Sequence, residues 1–259
     1  MDFILFGISA IGGLISGLLG VGGAVVLIPL LLSVPPLFGV EALDIHTVSG
    51  ITMLQVLVTS ALGVLLHRRG GNVHATGVVC IGMPLGVCAL GGAMASRYIP
   101  ADGLLLLFGI LVLVPFFLML LGNKDTRGGE NFEPFNPHRR GCMAVGSGVG
   151  LICGLLGAGG GFILVPLLVS VLKFPFKVAV GSSLGIIFIG AVLGSIGKIV
   201  TFQVAWRYVF PVLLGSVPMV YMGSVLCRRL PARAIRYLFL LLLLSVAVGT
   251  WNDILLRSM

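Results

Sequence analysis

Eight apolar stretches without Asp, Glu, Lys or Arg divide the chain, and most have the length of one membrane-crossing helix. They run over residues 3–40, 45–66, 72–96, 103–123, 141–172, 178–197, 208–227 and 237–252. A helix that crosses the ~30 Å hydrocarbon core of a bilayer needs about 20 apolar residues. Six of the eight stretches therefore predict one transmembrane helix each.

The first and fifth stretches are too long for one relaxed crossing and too short for two. Their apolar parts, residues 3–34 and 142–172, would each form a helix of about 45 Å. Each is interrupted by a glycine cluster, GLLGVGG at 17–23 and GLLGAGGG at 154–161. Glycine costs a helix about 1 kcal/mol relative to alanine and permits a left-handed turn. Each stretch therefore predicts a re-entrant hairpin of two half-helices, with its glycine tip near the middle of the bilayer.

The two halves of the chain repeat each other. The segment GLLGVGGAVVLIPLLLS (17–33) matches GLLGAGGGFILVPLLVS (154–170) at an offset of 137 residues. An offset of 131 then aligns residues 46–122 with the second half, so that Gly63 falls on Gly194. A single offset that holds over so long a range predicts two copies of one four-element unit, each a glycine-broken segment followed by three transmembrane helices.

The predicted organisation is a first transmembrane repeat at residues 1–122, a linker at 123–140 and a second transmembrane repeat at 141–259. If the two hairpins do not cross, twelve of the sixteen Lys and Arg residues lie on one side of the membrane and four on the other. If all eight segments cross, the two sides carry seven and nine. Positive charge favours the cytoplasmic side, so the hairpin topology is preferred. Each half then has three crossings, which predicts inverted repeats, both termini outside and a cytoplasmic linker.

Composition supports an all-α polytopic membrane protein. Of the 259 residues, 58% are hydrophobic and 9% are charged, against about 25% charged residues in a soluble domain. The net charge of +8 does not indicate nucleic-acid binding, because Lys and Arg stand in short clusters between the apolar stretches. The five cysteines form no CxxC motif and are expected to be packing residues. The sequence contains no metal-binding, cofactor-binding or nucleophile–base motif, so neither an enzyme nor a cofactor is expected.

The two glycine tips are the predicted functional site. Irregular backbone at membrane depth is tolerated where it is buried in protein or lines a cavity, so the tips are expected to face each other. A half-helix begins at each tip, and two helix N-termini aimed at one point make an anion site. The predicted substrate-binding residues are Gly20, Gly22, Gly23, Ala24, Ser49, Thr52, Gln55, Gly157, Gly159, Gly160, Gly161, Ser182 and Ser183. The glycines at GxxxG spacing, Gly13, Gly17, Gly146, Gly150 and Gly154, are expected to be helix-packing contacts.

Several polar residues carry two interpretations. For the candidate hydroxyls, back-bonding to their own helix is an equal alternative to anion binding. Gln55 either lines the cavity or makes a packing hydrogen bond between helices. Lys198 and its repeat partner His67 are expected to extend to a membrane interface. Because no carboxylate falls in the middle of an apolar stretch, proton coupling through Asp or Glu is disfavoured; the coupling ion, H⁺ or Na⁺, and a role for Cys153 are left open.

These motifs resemble the sulfite exporter TauE/SafE family of bacterial membrane proteins. The resemblance covers nearly the whole chain and rests on both glycine motifs with Pro29 and Pro166, on VAVGSSLGIIF at 178–188, and on the GGNVHA and TFQVAW turns. It implies a secondary transporter in the bacterial inner membrane that exports small sulfur-containing anions, such as sulfite, sulfoacetate or other organosulfonates. Alternating access around a midplane anion site is the expected mechanism. Uptake of thiosulfate or another anion, and a membrane scaffold without flux, are the alternatives; the oligomeric state is not indicated.

Overall fold

The computed structural model describes residues 2–39, 43–68, 73–121, 139–172 and 174–258, and within these ranges the regular structure is helical. Most of the predicted linker, residues 123–138, lies outside the described residues. The helices are α1 (Asp2–Leu19), α2 (Ala24–Leu37), α3 (Ile45–Arg68), α4 (Ala75–Ala95), α5 (Ala101–Leu121), α6 (Arg139–Leu156), α7 (Gly161–Ser170), α8 (Phe176–Val200), α9 (Trp206–Arg229) and α10 (Ala232–Ser258), with a short 3₁₀ turn at Ser96–Tyr98.

Six of these helices are long and apolar enough to cross a membrane by length and composition. They are α3, α4, α5, α8, α9 and α10, with mean hydropathies between 1.8 and 2.8 over their most apolar windows. Their outer faces carry exposed apolar side chains, such as Leu106 and Leu241, which suit a lipid surround. The prediction of an all-α polytopic membrane protein is confirmed.

The first and fifth apolar stretches are broken at their glycine clusters, as the sequence predicts. Gly20 to Gly23 separate α1 from α2, and Gly157 to Gly160 separate α6 from α7. Three glycines in each break have positive φ, between 62° and 81°, which side chains other than glycine rarely adopt. The chain folds back at the first break. This is shown by the contact between α1 and α2, since a Cβ at Gly12 would lie 2.9 Å from Leu27. In one straight helix these two residues would stand about 22 Å apart.

Glycines at helical spacing let the outer helix pairs approach to backbone contact. Gly13 and Gly17 of α1 pack directly against the backbone of α9. Gly150 and Gly154 of α6 pack in the same way against the backbone of α4. The contacts between α1 and α9 and between α4 and α6 are among the most extensive helix–helix contacts in the molecule. The interpretation of these glycines as packing residues is confirmed.

The long helices α3 and α8 run antiparallel through the centre. Gly63, near the end of α3, packs against Leu184, near the start of α8. At the opposite end, Met53 of α3 packs against Gly194 of α8. Helices that are equivalent in the repeat make equivalent contacts. Helix α1 packs on α9 as α6 packs on α4, and α2 packs on α3 as α7 packs on α8. The core between α3 and α8 therefore positions both glycine breaks.

Candidate functional site

The two glycine tips converge on one pair of apolar side chains at the centre of the molecule. Val56 and Ile187 lie halfway along α3 and α8 and are equivalent under the offset of 131. A Cβ at Gly22 would lie 3.2 Å from Val56 and 3.7 Å from Ile187, and a Cβ at Gly159 would lie 3.1 Å from Ile187. Gly161 contacts the carbonyl of Val21, so the tips also contact each other.

Each tip presents the beginning of a half-helix to this centre. At α2, the N–H groups of Val26 and Leu27 donate to the Gly23 carbonyl, at 3.2 and 3.1 Å. At α7, the Ile163 and Leu164 N–H groups close the equivalent turn on the carbonyl of Gly160. The earlier N–H groups of a helix have no intrahelical acceptor, and its N-terminal end carries about half a positive charge. The N-terminal ends of α2 and α7 therefore lie beside the same pair of side chains, and their role as an anion site stays a prediction.

Two of the predicted hydroxyls bind the tip of the opposite half. The Thr52 hydroxyl lies 3.1 Å from the carbonyl oxygen of Gly157, and the Ser183 hydroxyl lies 2.9 Å from that of Gly20. Both hydroxyls also lie within hydrogen-bond distance of carbonyls of their own helices. Thr52 and Ser183 are repeat equivalents, so each half clamps the other half's tip with the same contact.

Gln55 is a buried polar side chain at the first tip that lacks hydrogen-bond partners among the described residues. It is 0% exposed, and neither its amide nitrogen nor its amide oxygen has a hydrogen-bond partner among the described residues. A Cβ at Gly23 would lie 3.0 Å from its amide nitrogen, so the carboxamide lies against the start of α2. The buried Ser16 hydroxyl, one turn before this tip, is unpartnered as well.

The second tip is less polar. Ile186 is the repeat equivalent of Gln55, and Cys153 is the equivalent of Ser16. The Cys153 thiol packs directly against Gly160, at the start of α7. The two tips therefore share a backbone design but differ in side-chain chemistry, and the unpartnered polar atoms gather at the first.

The two remaining candidate hydroxyls point elsewhere. The Ser49 hydroxyl donates to the His46 carbonyl at 2.9 Å, although the Ser49 backbone contacts Gly157 of the second tip. The Ser182 hydroxyl accepts a hydrogen bond from the His74 N–H at 2.9 Å and so joins the start of α4 to α8. Their assignment to the substrate site stays a prediction.

The expectation that Lys198 extends to an interface is wrong. Its side chain is 0% exposed, and its ammonium donates to the hydroxyls of Ser49 and Ser96, to the amide oxygen of Gln203 and to the carbonyl of Leu155. His67 is 1% exposed, with Nε2 at 3.3 Å from the Gly17 carbonyl. Three helices and two connecting turns supply the cluster around Lys198, and they bury its side chain.

Sequence reasoning missed Ser96 and Gln203 and misplaced Lys198. The repeat aligns Lys198 with His67, but this alignment indicates neither the burial of the lysine nor its partners Ser96 and Gln203. These groups are hydrogen-bond donors: two helix N-termini, the Gln55 carboxamide and the buried Lys198 ammonium. Among the residues that the structure describes, no group of three or more His, Cys, Asp or Glu side chains is placed to hold a metal ion.

Comparison with known proteins agrees with this architecture. The sequence model of the family described as sulfite exporter TauE/SafE matches residues 5–250. A probable membrane transporter protein of Xylella fastidiosa is 30% identical, covering 92% of this chain and 91% of its own. Another, of Bacillus subtilis, is 25% identical over 94% of each chain, and one of Methanocaldococcus jannaschii is 25% identical over 86% of this chain and 80% of its own. No solved structure matches. The chain belongs to the sulfite exporter TauE/SafE family and is a multi-pass membrane transporter rather than an enzyme.

Proposed function

We propose that the protein is a secondary transporter that exports small sulfur-containing anions, such as sulfite, sulfoacetate or other organosulfonates. The observation that carries this proposal is the unpartnered Gln55 carboxamide beside the start of α2, where the N-terminal ends of α2 and α7 converge. A buried carboxamide without partners costs about 1–3 kcal/mol. Its N–H₂ group, with helix N–H groups beside it, matches the oxygens of a sulfite or sulfonate group. The name of the family supports both the substrate class and the direction.

Within the part of the chain that the structure describes, no carboxylate is recorded in contact with the tips, which fits an anionic substrate. Among the described carboxylates, Asp44 precedes α3 and Asp102 lies in the first turn of α5, away from the tips. A negative side chain at the tips would repel an oxyanion, whereas helix N-termini attract one. Coupling to H⁺ or Na⁺ is compatible with this donor set, and the flux experiment below distinguishes the two ions.

Alternating access follows from the arrangement of the halves. We propose that the repeats at 1–122 and 141–259 are inverted in the membrane, with both termini outside and the linker in the cytoplasm. The antiparallel packing of the equivalent helices α3 and α8 supports inversion, and so do three full-length apolar helices in each half. Rocking of one half against the other would break the Thr52 and Ser183 contacts to the opposite tips and open the site to one side at a time.

Reporter tags test this topology independently of transport. One tag follows Met259 and a second is inserted within residues 128–130, and each is probed in intact and permeabilised cells. We expect the first to be accessible from outside and the second only after permeabilisation. A cytoplasmic C-terminus would contradict the inverted arrangement while leaving the substrate proposal untouched.

Flux into proteoliposomes tests the function. Labelled sulfoacetate, sulfite and thiosulfate are supplied to the purified protein with a pH gradient, a Na⁺ gradient or neither, and protein-free liposomes give the background. We expect saturable flux of at least one sulfur oxyanion. In the Gln55→Leu variant we expect flux at low substrate to fall at least about tenfold, the value of one hydrogen bond to a charged group.

The matched control is Thr250→Val, in the contact between α5 and α10. Thr250 also has a buried, unpartnered hydroxyl, but it packs near Gly109 rather than at a tip. Both variants remove an unsatisfied polar group and should keep or raise thermal stability, whereas only Gln55→Leu should lose flux. If none of the three anions shows flux above background, the proposed substrate class is contradicted. Saturable flux of thiosulfate alone would favour a thiosulfate permease over a sulfite or sulfonate transporter, and wild-type flux in Gln55→Leu would remove the site from the first tip.

A further inference from the structure

Lys198 lies at the centre of a closed polar cluster at the end of α8. Its Nζ is 2.7 Å from the Ser96 hydroxyl, 2.8 Å from the Ser49 hydroxyl, 2.8 Å from the Gln203 amide oxygen and 3.3 Å from the Leu155 carbonyl. These groups come from the turn after α4, the start of α3, the α8–α9 connection and the end of α6. The last of these is two residues from Gly157, so the cluster adjoins the second glycine tip.

The hydrogen bonds around Lys198 suit the charged ammonium form. The Ser49 hydroxyl donates its proton to the His46 carbonyl, and the Ser96 hydroxyl lies 2.8 Å from the Ala93 carbonyl. Their lone pairs are therefore directed at the lysine, and all four neighbours act as acceptors. Lys198 also lies in the last turn of α8, and Leu155 lies in the last turn of α6, where helix dipoles favour a positive charge.

A buried cation in a membrane protein usually pairs with an opposite charge or with backbone carbonyls. None of the hydrogen-bond partners of Lys198 among the described residues is a carboxylate. Its four acceptors are neutral oxygens, so the ammonium has no full negative charge beside it among these partners. We propose that Lys198 is a second anion-binding group of the transport pathway, which holds the substrate anion between the glycine tips and the α8–α9 connection; this inference rests on the proposed anion transport.

Gln203 is the group that the anion displaces. It lies on the α8–α9 turn (residues 201–205), is partly exposed, and accepts from Lys198 where a substrate oxygen would accept. Phe202 beside it has φ 56°, a left-handed conformation rare for a residue with a side chain, and is 94% exposed. The backbone of the turn is held by the Gln203 N–H bond to the Lys198 carbonyl and packs against Gly50 of α3. The carboxamide accepts from the Ser96 hydroxyl and donates to the Thr201 hydroxyl, so its displacement requires only that this side chain turn away from the cluster. The anion would then supply Lys198 with the full negative charge that its neutral partners lack.

Substrate-dependent flux of three variants tests this role. In Lys198→Met, the KM for the transported anion should rise at least about tenfold, the factor for one charge-assisted hydrogen bond, while Lys198→Arg should recover part of the affinity. In Gln203→Ala, the KM should fall, because no carboxamide competes with the anion. A purely structural cluster predicts the opposite for Gln203→Ala: lower thermal stability with an unchanged KM. Ser195→Ala, which removes an unpartnered hydroxyl one turn away on α8, is the control and should leave the KM unchanged.

The outcomes separate the two proposals. A raised KM in Lys198→Met together with a lowered KM in Gln203→Ala supports the second site. Saturable wild-type flux with an unchanged KM in both variants overturns the second site and leaves the transport function standing. If Lys198→Met does not fold, the Gln203→Ala result decides alone. Absence of anion flux in the wild type overturns the proposed function and this inference with it.

Discussion

The two ends of the central helix pair, at Lys198 and at His67, occupy equivalent positions but differ in chemistry. Lys198 makes four hydrogen bonds, whereas His67 makes one, at 3.3 Å to the Gly17 carbonyl, and its Nδ1 is unpartnered among the described residues. The repeat places Val180 and Cys227 where the lysine end has Ser49 and Ser96. The backbone is thus nearly symmetric, and the side chains are not.

This difference shows how a repeated backbone can carry different side-chain chemistry at its two ends. The repeated backbone supplies the glycine tips and close helix contacts, and these allow equivalent movements of either half. Among the described residues, the Lys198 side chain has four acceptors, whereas the His67 side chain has one contact, at 3.3 Å. The difference therefore lies in these two side chains and in the residues that face them.

The largest expected effect comes from placing a lysine at the histidine end. His67→Lys buries an ammonium near Arg228, whose guanidinium donates to the neighbouring Leu66 carbonyl, without the two serine acceptors of the other end. An uncompensated buried charge costs about 3–5 kcal/mol, so we expect a large fall in thermal stability in detergent. Adding Val180→Ser and Cys227→Ser should restore part of the loss. Equal stability of His67→Lys and wild type would show that the two ends differ less than their hydrogen bonds indicate.

The glycine tips could be predicted from the sequence, whereas the lysine cluster could not. A dense run such as Gly20, Gly22 and Gly23 conflicts with a continuous helix through local conformational cost alone, so the break is visible without tertiary information. The burial of Lys198 depends on α3, α6 and the turn after α4, which come from distant parts of the chain. A lysine near a helix end ordinarily extends to water, and nothing local distinguishes this one. The orientation of the Ser182 hydroxyl toward His74 depends in the same way on contacts between distant segments.

A smaller effect is expected from adding a methyl group at one tip or the other. Gly22→Ala and Gly159→Ala each place a side chain at positive φ, which costs about 1–2 kcal/mol. The new Cβ would lie 3.2 Å from Val56 in the first variant, but it would overlap the same side chain in the second. Gly159→Ala should therefore be the less stable in thermal unfolding. Val56→Ala should restore stability in the Gly159→Ala background and not in the Gly22→Ala background; equal restoration in both would contradict the geometry of the tips.

The smallest effect concerns the two hydroxyls that clamp the opposite tips. Thr52→Val and Ser183→Ala each remove one donor to a buried tip carbonyl, and each should lower the stability by about 1 kcal/mol. Because the two contacts lie on different tips, the losses should add in the double variant. Thermal unfolding of the single and double variants measures this, with Ser60→Ala as a control, since that hydroxyl contacts only the Leu57 carbonyl of its own helix. A double variant markedly less stable than the sum would mean that the tips act as one unit, held closed by both halves at once.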